Sequence, residues 1–464
     1  MVVGEVGTRT DILVIGAGPG GYAAALRCAD RGKQVALVER DQVGGACLNV
    51  GCIPSKVLIH SAEIAALPAD SASLGVEVST TVDMTRVQAH MGKVVAGLRG
   101  GVQQLLDAAG VEVVTGTARF ARPQRVVVSE GQGVRHIEFD QCILATGSRP
   151  VELAGLPFDG ERIIDSTGAV QMGEVPEHLV VVGAGYIGVE LGTAFAKLGS
   201  RVTMVEARER VLPELDIALG RVVARRLREL GVEVVTGAYT PNLTDDGLVV
   251  TVDGEERTIP ADRVLVAVGR RPNTDDLGLD IAHVPLDERG LIVVDASRRA
   301  TRHVLAIGDI TAGPALAHKA TAEADVAAAT ACGEAAAFDP ATIPAVVFSD
   351  PEVVTVGLTV DEARADGIDP TTFRFPLGAS ARARTLDRPL GQGEIIADEA
   401  GTVVGLHLVG VGVSELAGEA ALAIEMATTL DDLAATIHPH PTLSEALPEL
   451  ALGALGHPLH VHRR

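Results

Sequence analysis

Tryptophan is absent from the 464 residues and aromatic side chains make up 2% of them. A stacking platform for single-stranded nucleic acid is therefore excluded. Lysine is scarce as well: five of the 39 basic residues are Lys, against 61 acidic ones. The net charge of −22 opposes a nucleic-acid surface or attraction to anionic lipid. Five cysteines are too few for a disulfide scaffold, and their odd number fits a reducing compartment, so a cytoplasmic location is expected. No N-terminal stretch has the charged start, apolar middle and small-residue cleavage site of a secretion signal. The most apolar windows, 12–26 and 402–413, are interrupted by glycines and by His407, so no membrane span is expected. What remains is 47% hydrophobic and 22% charged, enough for a large core in roughly three domains.

Two segments repeat. Val14-Ile15-Gly16-Ala17-Gly18 recurs as Val181-Val182-Gly183-Ala184-Gly185. Each follows a β-branched run and precedes a helical pattern, 20–31 and 187–198. Each helix leads into a second strand that closes on an acid, Glu39 or Glu206, 23 residues after the first glycine. This strand–turn–helix–strand–acid order is the dinucleotide fingerprint. Gly16 and Gly183 permit the tight turn, Gly18 and Gly185 let a pyrophosphate approach, and Gly21 and Gly188 let helix pack on strand. Glu39 and Glu206 are placed to accept hydrogen bonds from ribose hydroxyls. Each copy has a closing strand that delivers residues to the nucleotide crevice: one ends at Thr146-Gly147, the other at Gly269. These patterns predict an α/β chain with two Rossmann-like domains, 1–150 and 151–274. A strand over 301–307 ending in Gly308-Asp309 follows, then an Ala-rich helix near 316–334. Residues 346–464 read as an α+β domain.

Between the fingerprints lies Gly44-Gly45-Ala46-Cys47-Leu48-Asn49-Val50-Gly51-Cys52-Ile53-Pro54-Ser55-Lys56. Cys52 sits at the start of a predicted helix with Pro54 in its first turn, where the helix dipole favours a thiolate. The other three cysteines are scattered, so no four-ligand metal site is expected. A redox pair is the better reading than a structural disulfide in a reducing compartment. Two dinucleotide sites and a redox pair on one chain imply electron traffic between two cofactors.

With these residues in hand, the chain resembles the FAD-dependent pyridine nucleotide–disulfide oxidoreductases over essentially its whole length. Leu316-Ala317-His318-Lys319-Ala320 and His438-Pro439-His440-Pro441-Thr442-Leu443-Ser444-Glu445 are similar to the branch of that family acting on dihydrolipoyl groups. The resemblance implies FAD at 1–150, NAD at 151–274, a central domain at 275–345 completing the FAD site and a C-terminal dimerisation domain at 346–464. It implies a homodimer in which His440 of the partner subunit, oriented by Glu445, deprotonates a dithiol that attacks Cys47 while Cys52 faces the flavin. Lys56 is implied to lie beside the flavin, with Glu190 reaching it. Asp309, Ala118 and Ala317 are implied FAD contacts, and His440–Pro441 is implied to be cis. Expected partners are a lipoyl-bearing acyltransferase or a glycine-cleavage carrier protein, with neither nucleic acid nor membrane. A relative using another disulfide, or a quinone or dye reductase, is the alternative. A scaffold with relic nucleotide sites is a second, disfavoured by the retained Cys pair, Lys56, His440 and Glu445. His457, His460 and His462 read as an uninformative tail.

Overall fold

The computed structural model describes residues 7–131 and 133–462. The chain divides into two compact units that interleave in sequence. The first takes the described residues up to Val57, Arg86–Val151 and Arg270–Asp339; the second takes Leu58–Thr85, Glu152–Gly269 and the described residues from Pro340 onward.

The first unit is built on a seven-stranded sheet. Strand Gly7–Ile15 pairs in parallel with Val35–Glu39 on one side and Gly133–Leu144 on the other. Val304–Ala306 joins beyond Gly133–Leu144, also in parallel. Ile12-Leu13-Val14-Ile15 has no polar residue because both sheet faces are covered. Leu13 and Ile15 enter one core with Phe120 and Phe139, while Ile12 and Val14 enter another with Ala24, Ala25, Ala324 and Ala327. That second core joins helices Pro19–Asp30 and Ala317–Ala331, whose alanines allow a close approach. Strands Thr117–Arg122 and Arg125–Glu130 extend the sheet as an antiparallel meander. The first strand starts earlier than its apolar run, since Gly7–Thr10 pairs with His136–Phe139. The strand expected over 301–307 shortens to Val304–Ala306 because Thr301 N–H turns back to the Val304 carbonyl.

The second unit carries a five-stranded parallel sheet in the order Glu233–Val235, Arg201–Val205, His178–Val182, Arg263–Val266, Ile163–Ile164. A three-stranded antiparallel sheet over 238–259 accompanies it. An antiparallel five-stranded sheet over 345–410 is covered by helices Ala417–Glu425 and Ala446–Ala454, with Leu406, Leu408, Ala420 and Leu450 in its core. This is the α/β architecture expected, with two nucleotide-type sheets, the first mixed and the second parallel, and an α+β C-terminal region. Residues 45–74 are long and apolar enough for a membrane span by length and composition. Asp70 of that stretch instead pairs with Arg226 at 3.2 Å and Arg388 at 3.1 Å.

Asp350 is the centre of that ionic cluster. It is 5% exposed and pairs with Lys197 at 2.9 Å, Arg226 at 3.1 Å and Arg388. Burial opposes its ionisation, but the fields of Lys197, Arg388 and Arg226 overcome it and hold the carboxyl below the usual carboxylate range. Asp350→Asn leaves Lys197 buried without its counter-charge, an expected cost of about 3–5 kcal/mol. A carboxyl depressed in the folded state contributes fully above its unfolded pKa of ~3.9, and the contribution drains away as pH falls through the lower folded value. Urea denaturation should therefore separate Asp350→Asn from the parent chain at pH 7 and bring the two together as pH falls through the depressed folded value. Equal midpoints at pH 7 would refute this account.

Candidate active site

The two glycine fingerprints are congruent. Gly16 has φ +99°, and a side chain there would meet the Ala145 carbonyl oxygen at 2.4 Å; one on Gly21 would meet the Gly16 carbonyl oxygen at 1.7 Å. In the second unit Gly183 has φ +103° and would meet the Ala267 oxygen at 2.5 Å, and Gly188 the Gly183 oxygen at 1.9 Å. The middle glycines differ: a side chain on Gly18 or Gly185 would meet nothing within 4 Å. These two cap helices Pro19–Asp30 and Tyr186–Leu198 with no side-chain hydrogen bond. Each turn thus presents uncapped helix N–H groups on a surface open to a ligand, which fits a pyrophosphate.

The closing acids are held alike. Glu39 Oε2 accepts from Ala17 N–H at 2.7 Å and Oε1 from Asp41 N–H at 3.0 Å. Glu206 Oε2 accepts from Ala184 N–H at 2.7 Å and Oε1 from Arg208 N–H at 2.8 Å. These amide bonds orient both carboxylates while leaving each oxygen a further lone pair for a ribose hydroxyl. The arginines beyond Glu206 are engaged elsewhere. Arg208 pairs with Glu214 at 2.6 Å, and Arg210 donates to the carbonyls of Pro213 and Leu215 at 2.9 and 3.1 Å.

Cys47 and Cys52 are joined as a disulfide with Cα atoms 4.7 Å apart, inside the usual range. Cys47 is half-buried in the short helix Gly45–Val50, and Cys52 is the exposed first residue of helix Cys52–Ser71. Asn49 holds the segment in place, its Nδ2 donating to the Val43 and Gly45 carbonyls at 3.0 Å each. Gly44 N–H donates to the Ala17 carbonyl at 2.8 Å. A side chain on Gly45 would meet Gly18 Cα at 2.6 Å. The redox segment is therefore seated directly on the first fingerprint turn.

Lys56 lies one turn into the redox helix, half-buried, its Nζ 3.5 Å from Ser55 Oγ. Thr146 is cross-linked to Asn273: its Oγ1 donates to the Asn273 carbonyl at 2.7 Å and its carbonyl accepts from Asn273 Nδ2 at 2.9 Å. Gly147 (φ +67°) follows, its carbonyl accepting from Asn273 N–H. Asp309 Oδ2 accepts from Ser148 Oγ at 2.5 Å, and Ser148 is gripped in turn by Arg270 through Oγ and its carbonyl at 2.8 and 2.7 Å. Ala118 is buried on its strand, and Ala317 opens the Ala-rich helix half-buried. In the second unit Glu190 is 5% exposed and accepts from Phe348 N–H at 2.8 Å. Gly269 there has φ +133° with nothing crowding it.

Also in the second unit, His440 Nδ1 lies 2.8 Å from Glu445 Oε1, and Thr442 N–H donates to Oε2 at 2.8 Å. The His440–Pro441 bond is cis, as the resemblance implied. Burial opposes ionisation of Glu445, but the Thr442 amide, the His440 hydrogen bond and the fields of His440 and His460 hold its carboxyl below the ordinary range. The imidazole is 70% exposed, and its Nε2 has no partner among the described residues. A histidine with Nδ1 fixed by a carboxylate and Nε2 open is equipped to take a proton. The tail is tied down: His460 Nδ1 lies 2.6 Å from the buried Glu449, one helical turn from Glu445. Sequence reading missed it because no spacing signals a pair eleven residues apart. It also left Asn49, Asn273, Ser148 and Arg270 without roles, although all four lie inside or beside the motifs.

No group of three or more potential metal ligands is found among the described residues. Residues 10–324 match the family model for pyridine nucleotide-disulphide oxidoreductase, and 343–451 match its dimerisation domain, which supports a homodimer. The dihydrolipoyl dehydrogenase of Halobacterium salinarum is 46% identical, with all of both chains covered, and that of Geobacillus stearothermophilus is 45% identical over 99% of each. Among solved structures, LpdA from Mycobacterium tuberculosis superposes with a TM-score of 0.88 at 30% identity, covering 96% of this chain and 99% of its own. The flavoprotein disulfide reductase RclA from Escherichia coli gives 0.85 at 28% identity, over 96% and 99%. Two fingerprint turns, a disulfide seated on the first of them and these matches along the whole chain lead to one conclusion: the chain belongs to the pyridine nucleotide-disulphide oxidoreductases, enzymes that work with FAD and NAD.

Proposed function

We propose that the chain oxidises dihydrolipoyl groups carried on another protein, with NAD as the final acceptor, the activity that its relatives' names state. The observation that carries this reading is the Cys47–Cys52 disulfide packed through Gly44 and Gly45 onto the Gly18 turn. FAD, bound at that turn, supplies two-electron transfer between the dithiol and NAD.

A dithiol attacks a disulfide only as a thiolate. In this reading His440 of the partner subunit takes the substrate proton at Nε2, with Glu445 fixing the ring and stabilising the imidazolium. The substrate thiolate bonds to Cys47 Sγ as the Cys47–Cys52 bond breaks. Cys52 leaves as a thiolate, favoured by its place at the first turn of its helix. The second substrate thiol passes its proton to the Cys47 sulfur as it displaces that sulfur and closes the lipoyl ring, so His440 and Cys47 end with one proton each. The substrate has lost two electrons and two protons, and the enzyme disulfide has gained the electrons. Lys56, Thr146, Gly147 and Asp309 are assigned to holding FAD, and Glu206 with the Gly185 turn to holding NAD. The lipoyl carrier is an acyltransferase or glycine-cleavage protein of a reducing, cytoplasmic compartment.

Three outcomes test this. Cys47→Ser should abolish dihydrolipoamide oxidation while NADH-dependent dye reduction persists; full lipoamide turnover by that variant would sink the scheme. His440→Gln should lower kcat/KM for dihydrolipoamide by ~10²–10⁴-fold, the usual worth of a positioned base, with the flavin spectrum unchanged; a loss below tenfold would remove His440 from the mechanism. Glu206 repels a 2′-phosphate, and Arg208 and Arg210 are engaged elsewhere, so NAD should be preferred over NADP by at least ~100-fold, or ~2.7 kcal/mol. Equal kcat/KM for the two would show the role given to Glu206 to be wrong.

A further inference from the structure

A second buried ionic cluster, in the first unit, has no part in the chemistry described so far. Helix Ala317–Ala331 buries alanines along most of its inner face, but two of its buried positions are ionisable. Lys319 is 2% exposed and Glu323 is 0% exposed, one turn apart, with Lys319 Nζ 3.0 Å from Glu323 Oε1. Arg298 Nη1 donates to the same oxygen at 2.8 Å, and its guanidinium lies 5.0 Å from the centre of the Phe338 ring. Two cations thus meet one carboxylate in the core.

Both side chains of the helix converge on the backbone of one residue, Gly308. Glu323 Oε2 accepts from Gly308 N–H at 2.6 Å, and Lys319 Nζ donates to the Gly308 carbonyl at 3.1 Å. Thr311 Oγ1 lies 2.9 Å from that carbonyl and accepts from Lys319 Nζ at 3.2 Å. Gly308 has φ +76°, and the residue that follows it is Asp309. The Asp309 carboxylate accepts from Ser148 Oγ, which Arg270 holds in turn.

Such a cluster is a poor device for stability alone. Buried ion networks are often no better than well-packed apolar side chains of the same volume. What an apolar core cannot do is satisfy the N–H and C=O of a left-handed glycine and so fix the direction of the next residue.

We propose that Lys319, Glu323 and Arg298 are positioning residues for FAD, clamping the backbone on both sides of Gly308 so that Asp309 is aimed at the cofactor. This rests on the reading of Asp309 as an FAD contact. None of the three need touch FAD; they act through the turn.

The test compares three holoenzymes, Asp309→Asn, Lys319→Met and the double variant, with the parent. FAD dissociation is read from the fluorescence of released flavin on serial dilution, and visible circular dichroism reports the flavin environment. Each single variant should raise the FAD dissociation constant at least ~10-fold, equivalent to ~1.4 kcal/mol. The double variant should fall well short of the product of the two, since residues acting through one contact are not additive. Both singles should perturb the flavin dichroism in the same way. If Lys319→Met fails to fold, Glu323→Gln, which keeps the shape and removes the charge, takes its place in the cycle. Weakened binding by Asp309→Asn with unchanged binding by both Lys319→Met and Glu323→Gln would overturn the positioning role. Unchanged binding by Asp309→Asn would overturn the reading beneath it. Multiplicative losses would show that the cluster acts on FAD independently of Asp309, which also overturns the proposal.

Discussion

The first unit depends on how closely main chain can pack on main chain around one turn. Gly16 lies against the strand end at Ala145, Gly21 against Gly16, and Gly45 against Gly18. At each of these a single methyl group would meet a backbone atom within 2.6 Å, and backbone cannot yield as a flexible side chain would. The first two contacts shape the helix N-terminus that suits a pyrophosphate. The third brings the cysteine pair to that same turn. Binding of the cofactor and placement of the disulfide are therefore one packing problem, solved by leaving out side chains at a few positions.

Carboxylates do the complementary work of aiming. Glu39, Glu206, Glu190, Glu323 and Glu445 each accept a backbone N–H. An amide gives the carboxylate a fixed direction and needs no second charge, which suits a chain short of cations. At Glu445 the same device frees one oxygen to hold His440 Nδ1, so the amide of Thr442 indirectly orients the imidazole.

Scarcity of lysine sharpens the role of those present. Lys197 and Lys319 are almost wholly buried, each against a buried carboxylate, and Lys56 is half-buried beside the cysteine pair. An acidic surface needs few exposed cations, whereas a carboxylate taken out of water must have a partner. At Asp350 the partners converge from distant parts of the sequence within the unit, whereas at Glu323 a helix neighbour, Lys319, is joined by Arg298 from a preceding loop.

By itself the sequence determined the local parts: the two fingerprints with their acids, the parallel sheets implied by β-branched runs, and the Cys47–Cys52 pair within one motif. Those features have short spacing and a steric or helical periodicity that forces them, so they can be read without knowing which segments meet. Resemblance was needed to lift His440 and Glu445 from an unremarkable stretch. Only the tertiary structure decided what long-range packing decides. It showed the interleaving of the two units, the seat of Gly45 on Gly18, and Asn273 locking Thr146 from 127 residues away. It also tied His460, in a tail uninformative as sequence, to Glu449, and turned Lys319 and Glu323 toward Gly308. A hydrogen bond or ion pair between distant residues leaves no periodicity in the chain; it exists once the fold has brought the two groups within about 3 Å.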